Sequence, residues 1–192
     1  MDINPKEIVG TWDAGYVLDK HTISSTMIGY NEFGHPEFDT QRSPLGELVY
    51  KLKYKGDNAA LPAIVETMAK FIASWNIKPD VIVPLPASKQ RAFQPMIEIT
   101  TQLGAALQIP VNASSLKKTA TTSQMKDIGN YADRVKALEA VLVAGKEFKG
   151  KTVLLVDDLF QSGATMNVAA RIIREQGEAK TIYALALTRT RG

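Results

Sequence analysis

The chain has 192 residues, 45% of them apolar and 22% charged, with a formal net charge of +3. That balance excludes a disordered or fibrous chain, and the length suits one medium domain that buries about 70% of its unfolded surface. The absence of cysteine excludes disulfide scaffolds, thiolate metal sites and cysteine nucleophiles, and leaves a cytoplasmic enzyme or binding protein as the expectation. No apolar run approaches the roughly 18–20 residues that span a bilayer, and the N-terminus lacks a signal peptide's order of basic then apolar residues.

The charge is unevenly spread. Residues 1–50 hold three Lys/Arg against eight Asp/Glu, and the remainder holds twenty against twelve. The basic residues are scattered in ones and twos, with no basic helix or aromatic-interleaved strip, so nucleic acid is not the expected partner. A basic body of this kind suits a small polyanion.

Two β-prone stretches open the chain, Val9–Leu18 and Thr22–Tyr30, and Asp19-Lys20 between them predicts an antiparallel hairpin. Residues 31–43 are polar and rich in turn formers, and read as a loop. Ser43-Pro44 starts a helix with Leu45, Leu48, Val49 and Leu52 on one face. A second helix is expected over Asn58–Trp75, where Leu61, Ile64, Val65, Met68 and Ile72 recur at helical spacing.

From Asp80 onward, strands alternate with helices. Val81–Val83 reads as a short buried strand ending at Pro84, and Pro95–Leu107 as a helix. Pro110-Val111 belongs in or beside a strand. Residues 117–130 read as a polar, structureless loop. Leu138–Val143 fits a strand or a helix end, with strand preferred. Thr152–Val156 is a buried strand, Thr165–Gln176 a helix stopped by Gly177, and Thr181–Leu187 the last strand. The expected fold is α/β, with a mostly parallel central sheet, helices on both faces and an N-terminal β-hairpin. The expected division is residues 1–43 for hairpin and loop and residues 44–192 for the main domain.

Chemistry concentrates at Val153–Thr165. A buried strand ends in two carboxylates, and a short Ser/Gly/Thr loop then feeds a helix. Such a loop offers backbone N–H groups and the positive end of a helix dipole, and glycine lets the backbone curl round an anion. Asp157 and Asp158 oppose a phosphate, so they must serve another part of the ligand. Carboxylates accept hydrogen bonds from vicinal hydroxyls and hold the waters of Mg²⁺. A ligand with a phosphate beside a ribose diol satisfies both halves. The plain alternative is an acidic pair in an ordinary strand-to-helix turn.

Val153–Thr165 resembles the phosphoribosyl-pyrophosphate (PRPP) signature of the type I phosphoribosyltransferases. That resemblance implies that Asp157 and Asp158 bind the ribose hydroxyls, as the catalytic pair, and that Gln161, Ser162, Gly163, Ala164 and Thr165 wrap the 5′-phosphate. Leu52–Asp57, Val83–Pro86, Arg91–Gln94 and Thr121–Gln124 occur in the order of the ComF-like members, whose motifs there are LKYxGD, PxP, RGFNQ and TxxQ. The resemblance runs from about Leu45 to Arg189. The chain departs from it in lacking the four-cysteine zinc ribbon, in a shorter stretch between Pro86 and Arg91, and in Ala-Phe-Gln-Pro where Gly-Phe-Asn-Gln is usual.

On the same resemblance, Ala87, Ser88, Lys89 and Arg91 hold pyrophosphate, and residues 117–130 form a lid that includes Thr121 and Gln124. Mg²⁺ is carried mainly by PRPP oxygens and water, with Asp157 and Asp158 as its protein donors. Dimers are common in that family, so a homodimer is an expectation, and the resemblance implies that the N-terminal hairpin supplies the family's variable hood over the acceptor. Lys89 and Arg91 read equally well as exposed cations of a proline-rich turn. Arg134 reads as a partner of the lid or as part of a solvated helix face, with the solvated face preferred. His21 and His35 read as surface residues, and the N-terminal aromatics as hairpin core. The functional expectation is Mg²⁺-dependent transfer of a phosphoribosyl group from PRPP to a nitrogen acceptor. Beside it stand two others, a non-catalytic PRPP or nucleotide sensor and a ComF-like accessory of DNA uptake.

Overall fold

A computed structural model describes residues 1–87, 93–120 and 130–190. Its centre is a five-stranded sheet in the order β1-β2-β9-β8-β5, where β1 is Lys6–Glu7, β2 Ala14–Lys20, β5 Val81–Pro84, β8 Thr152–Phe160 and β9 Thr181–Arg189. β5, β8, β9 and β2 run parallel, and only β1 pairs antiparallel. Beyond β5, Val111 adds a single parallel bridge to Ile82.

Alternation along the strands splits the core into two layers. Val153 and Leu155 of β8 face one side with Ile182, Ala184 and Val17, where α5 (Ala164–Glu175) supplies Val168, Ala169, Ile172 and Ile173. Leu154 and Val156 face the other with Leu185, Leu187 and Leu18. There α1 (Pro44–Tyr50), α2 (Leu61–Trp75) and α3 (Pro95–Leu107) bring Leu45, Ile64, Met68, Ile99 and Leu103. Central strands covered on both faces must be apolar at every position, and Val153–Val156 is buried throughout. The expected α/β architecture, with a mostly parallel sheet and helices on both faces, is the one observed.

Local chemistry explains the helix starts. Ser43 Oγ accepts from Gly46 N–H at 3.0 Å and Pro44 occupies the first turn, a cap worth about 1 kcal/mol. Residues 58–60 form a 3₁₀ turn ahead of α2. The ambiguous stretch near residue 140 contains both options, the end of α4 (Tyr131–Glu139) and β7 (Leu142–Ala144), which pairs with β6 (Leu116–Lys118).

The N-terminal hairpin exists, but its strands differ from those expected. β3 (Thr22–Tyr30) pairs antiparallel with β4 (Pro36–Arg42), while β2 pairs in parallel with β9. β2 buries Val17 and Leu18 on opposite faces, the property of an inner strand, and Asp19-Lys20 lacks the residues of a tight turn. The turn is at residues 31–35, where Asn31 Oδ1 accepts from the N–H groups of Phe33 and His35 and Gly34 takes φ +74°. Residues 36–42, expected as loop, are polar because this ribbon leaves nearly every side chain exposed. Trp12 is buried, whereas Tyr30, Phe33 and Phe38 are exposed, so the aromatics do not form a hairpin core. Among the described residues, no helix is long and apolar enough to cross a membrane.

Candidate active site

β5 and β8 are neighbours, yet the chain leaves them toward opposite layers, to α3 and to α5. In open parallel sheets, ligands bind in the crevice at such a divergence, outside the carboxyl ends of the strands. Here it is a cleft of about 420 Å³. Its walls are residues 157–166, residues 85–87 after β5, residues 94–96 at the start of α3, and the side chains of Lys53, Tyr54 and Arg134. Residues 1–43 contribute none of the lining.

β8 continues through Phe160, so the acid pair lies within the strand's last turn of pleat rather than beyond its end. Alternation then sends the two carboxylates toward opposite faces of the strand, and at its end both still border the cleft. Lys53 Nζ lies 2.6 Å from Asp158 Oδ2. Asp158's charge and hydrogen bond raise the Lys53 pKa against the opposing effect of burial. On the other side, burial lowers the pKa of Lys118 although Asp157 acts to raise it. Burial, reinforced by the charge of Asp158, pushes Asp157 up to about 7, against the Asp158 N–H and the two lysines.

The backbone beneath the pair is pinned. Thr188, fully buried on β9, donates through Oγ1 to the Asp158 carbonyl at 3.0 Å. His21 Nδ1 lies 3.1 Å from the same hydroxyl. Because that hydroxyl's proton is committed to Asp158, the imidazole is the donor in this contact. Burial and the neighbouring Arg42 and Lys53 lower the His21 pKa. His21 is therefore half-buried beneath the site, not a surface residue.

The Asp157 shift has a consequence for stability. In the unfolded chain this carboxyl ionises near the ordinary aspartate value of 3.8, and in the fold at about 7. Its ionisation is thus unfavourable to the folded state, and the stability it removes is lost as pH rises from about 4 to about 7. Asp157→Asn is expected to raise the melting temperature more at pH 8 than at pH 5.5. Paired thermal melts at the two pH values check this, and an equal shift at both refutes the raised pKa.

Between β8 and α5 the loop is only Gln161–Gly163; Ala164 and Thr165 already belong to the helix. Gly163 caps α5 at φ +74°, a left-handed conformation that glycine adopts without cost. It turns the first amides of α5 toward the cleft, where helix geometry leaves them without intrahelical acceptors. Ser162 Oγ accepts from Ala164 N–H at 3.4 Å and from Arg134 Nη1 at 3.5 Å. Arg134, expected on a solvated face, is half-buried in the cleft wall. Hydroxyls, helix amides and a guanidinium converging on one point are suited to a monoanionic or dianionic phosphate.

The structure thus brings Asp157, Asp158, Gln161, Ser162, Gly163, Ala164, Thr165 and Ala87 into one cleft. Ser88, Lys89, Arg91, Thr121 and Gln124 lie outside the described residues. Lys53 and Arg134 join the cleft without having been singled out as site residues. Lys53 carried a signal, its place in the LKYxGD-like segment, and Arg134 none beyond its charge.

The chain is similar to known proteins over most of its length. The phosphoribosyl transferase domain model matches residues 56–192. Competence protein ComFC of Bacillus subtilis is 23% identical over 152 residues, covering 79% of this chain and 62% of that protein's length. Among solved structures, a purine phosphoribosyltransferase from Pyrococcus horikoshii is 19% identical with a TM-score of 0.43, covering 68% of this chain and 82% of the other. The adenine phosphoribosyltransferase of Thermoanaerobacter pseudethanolicus is 16% identical with a TM-score of 0.44, covering 87% and 95%. With most of its length, including the acid pair and the phosphate-type loop, inside the matched region, the chain belongs to the phosphoribosyl transferase domain family.

Proposed function

We propose that the protein binds PRPP and transfers its phosphoribosyl group to a nitrogen acceptor, releasing pyrophosphate. One observation carries the reading: a carboxylate pair and a glycine-capped helix N-terminus face the same cleft. The spacing of a ribose between its 5′-phosphate and its 2,3-diol asks for that combination. Asp157 and Asp158 accept the diol hydroxyls, and residues 161–165 take the 5′-phosphate. Exposed Tyr54 at the cleft wall offers a face for a planar acceptor.

The two carboxylates are hard oxygen donors of the kind Mg²⁺ accepts beside waters and phosphate oxygens. Among the described residues, no group of three or more His, Asp or Glu converges to hold a metal alone. The donor set therefore fits an ion held chiefly by ligand oxygens, with Asp157 and Asp158 completing its shell. Bound there, Mg²⁺ would supply charge neutralisation for the leaving pyrophosphate. The protein's own residues orient the ribose and fix C1 toward the acceptor, so that positioning and electrostatics do the catalysis. No side chain is needed as a nucleophile.

A second reading is a PRPP-binding accessory without turnover, favoured by the likeness to a competence protein. Calorimetric titration of PRPP with and without Mg²⁺, followed by pyrophosphate release across purine, pyrimidine and amine acceptors, separates the two. Mg²⁺-dependent binding with acceptor-dependent release is the expected result. Binding without release under any acceptor favours the accessory, and no binding overturns both.

A further inference from the structure

Lys53 sits in an unusual piece of backbone. Residues Lys51–Lys55 continue α1 as a π-helical turn that ends at Gly56 in a left-handed conformation, φ +65°. Such widened turns are rare and concentrate at functional sites. This one buries Leu52 against the helical layer and leaves Tyr54 exposed, with Lys53 between them. The side chains of Lys53 and Asp158 are only 24% and 16% exposed. A pair this withdrawn from water is weak evidence for stability, since apolar replacements often serve as well. The ammonium also takes up part of the acceptor capacity of Asp158 at Oδ2, on a carboxylate assigned to the proposed diol.

Two cations line the described part of the cleft, and they stand at different ends. Arg134 reaches Ser162 in the loop before α5, whereas Lys53 reaches Asp158 on the far side of the acid pair. An ammonium on a four-carbon stem has three donors and can add a partner or exchange one without moving its backbone.

Resting on the PRPP reading, we propose that Lys53 is a ligand-binding residue for the diphosphate end of the substrate. It donates to a diphosphate oxygen, and it gives up Asp158 to the diol when both ends of the ligand are bound. Until then the ion pair holds the Asp158 carboxylate in place. The exchange couples the two ends of the ligand, because diol binding releases the cation that the diphosphate recruits.

The test uses three ligands, each titrated calorimetrically with Mg²⁺ into wild type and Lys53→Met: PRPP, inorganic pyrophosphate and ribose 5-phosphate. Loss of one charge-assisted contact should weaken PRPP and pyrophosphate by about 10-fold to 100-fold. Ribose 5-phosphate, which has the diol and the monophosphate but no diphosphate, should bind as before or more tightly. Equal weakening of ribose 5-phosphate would overturn the proposal, because Lys53 would then serve only to hold Asp158. Unchanged pyrophosphate affinity would overturn it as well. Lys53→Gln, polar and similar in length, replaces the Met variant if that does not fold, with the same pattern expected. A wild type that binds neither PRPP nor ribose 5-phosphate refutes the PRPP reading itself, an outcome distinct from a wild type that binds all three and variants that bind them equally.

Discussion

Asp157→Asn with Asp158→Asn is expected to abolish measurable PRPP binding while the protein stays folded. Each carboxylate is assigned a charge-assisted hydrogen bond from a ribose hydroxyl, worth roughly 1.5–3 kcal/mol. Two of them correspond to roughly 10²-fold to 10⁴-fold in affinity at about 1.4 kcal/mol per decade. The fold should tolerate the change, because neither side chain belongs to the apolar layers and Asp157 is strained by its own ionisation. Neutralising Asp158 breaks the 2.6 Å ion pair of half-buried Lys53, so the melting temperature is the necessary control. Single variants separate the two faces of β8: Asp158→Asn should disturb Lys53 more than Asp157→Asn does, because only Asp158 holds the ion pair and hydrogen bond to its ammonium, Asp157 acting on it through charge alone. A double variant that melts like wild type and binds PRPP equally tightly would show that the ribose does not lie on this pair.

How far the residues disclosed this site depends on how local the controlling physics is. α3 was legible from Pro95 to Leu107 because a proline at the first helical position and an amphipathic repeat are both short-range signals. Ser43-Pro44 announced α1 in the same way. The phosphate-type loop was legible because strand, Gly163 and helix are contiguous. Pairing was not. Whether Ala14–Lys20 joins Thr22–Tyr30 or a strand formed by residues 181–189 is decided by burial of Val17 and Leu18 on two faces, a long-range fact. The far end of β8 was hidden for a related reason: Asp157-Asp158 interrupts its apolar run, yet Asp157, Leu159 and Phe160 still pair with β9. Lys53 and Arg134 entered the cleft through the geometry of a π turn and of a short polar helix, and neither leaves a periodic mark.

Gly163→Val is expected to lower both PRPP affinity and stability, through the backbone before the ligand. At φ +74° a β-branched residue is strained by roughly 1–3 kcal/mol. The first added carbon would come within 2.9 Å of Phe160 Cζ and 3.3 Å of Asn167 Nδ2. The clash thus falls on Phe160, one residue beyond the acid pair's neighbour Leu159, rather than directly on a phosphate. Phe160 cannot retreat easily, because its ring packs edge-on against Trp12 at 6.4 Å, and Trp12 is itself held by a hydrogen bond to Ile8 O at 2.9 Å. Relief therefore comes from unwinding the left-handed turn, which rotates the first amides of α5 away from the cleft. For a chain of this size, each kcal/mol lost lowers the melting temperature by roughly 2–4 °C. Misaligning two or three amides that bind one phosphate should cost at least about tenfold in affinity, at about 1 kcal/mol or more per hydrogen bond. Gly163→Ala, with the same strained φ and a smaller clash, should fall between Val and wild type in both measurements. If Val lowers the melting temperature and leaves PRPP binding unchanged, the glycine serves the fold alone and the phosphate must be held elsewhere.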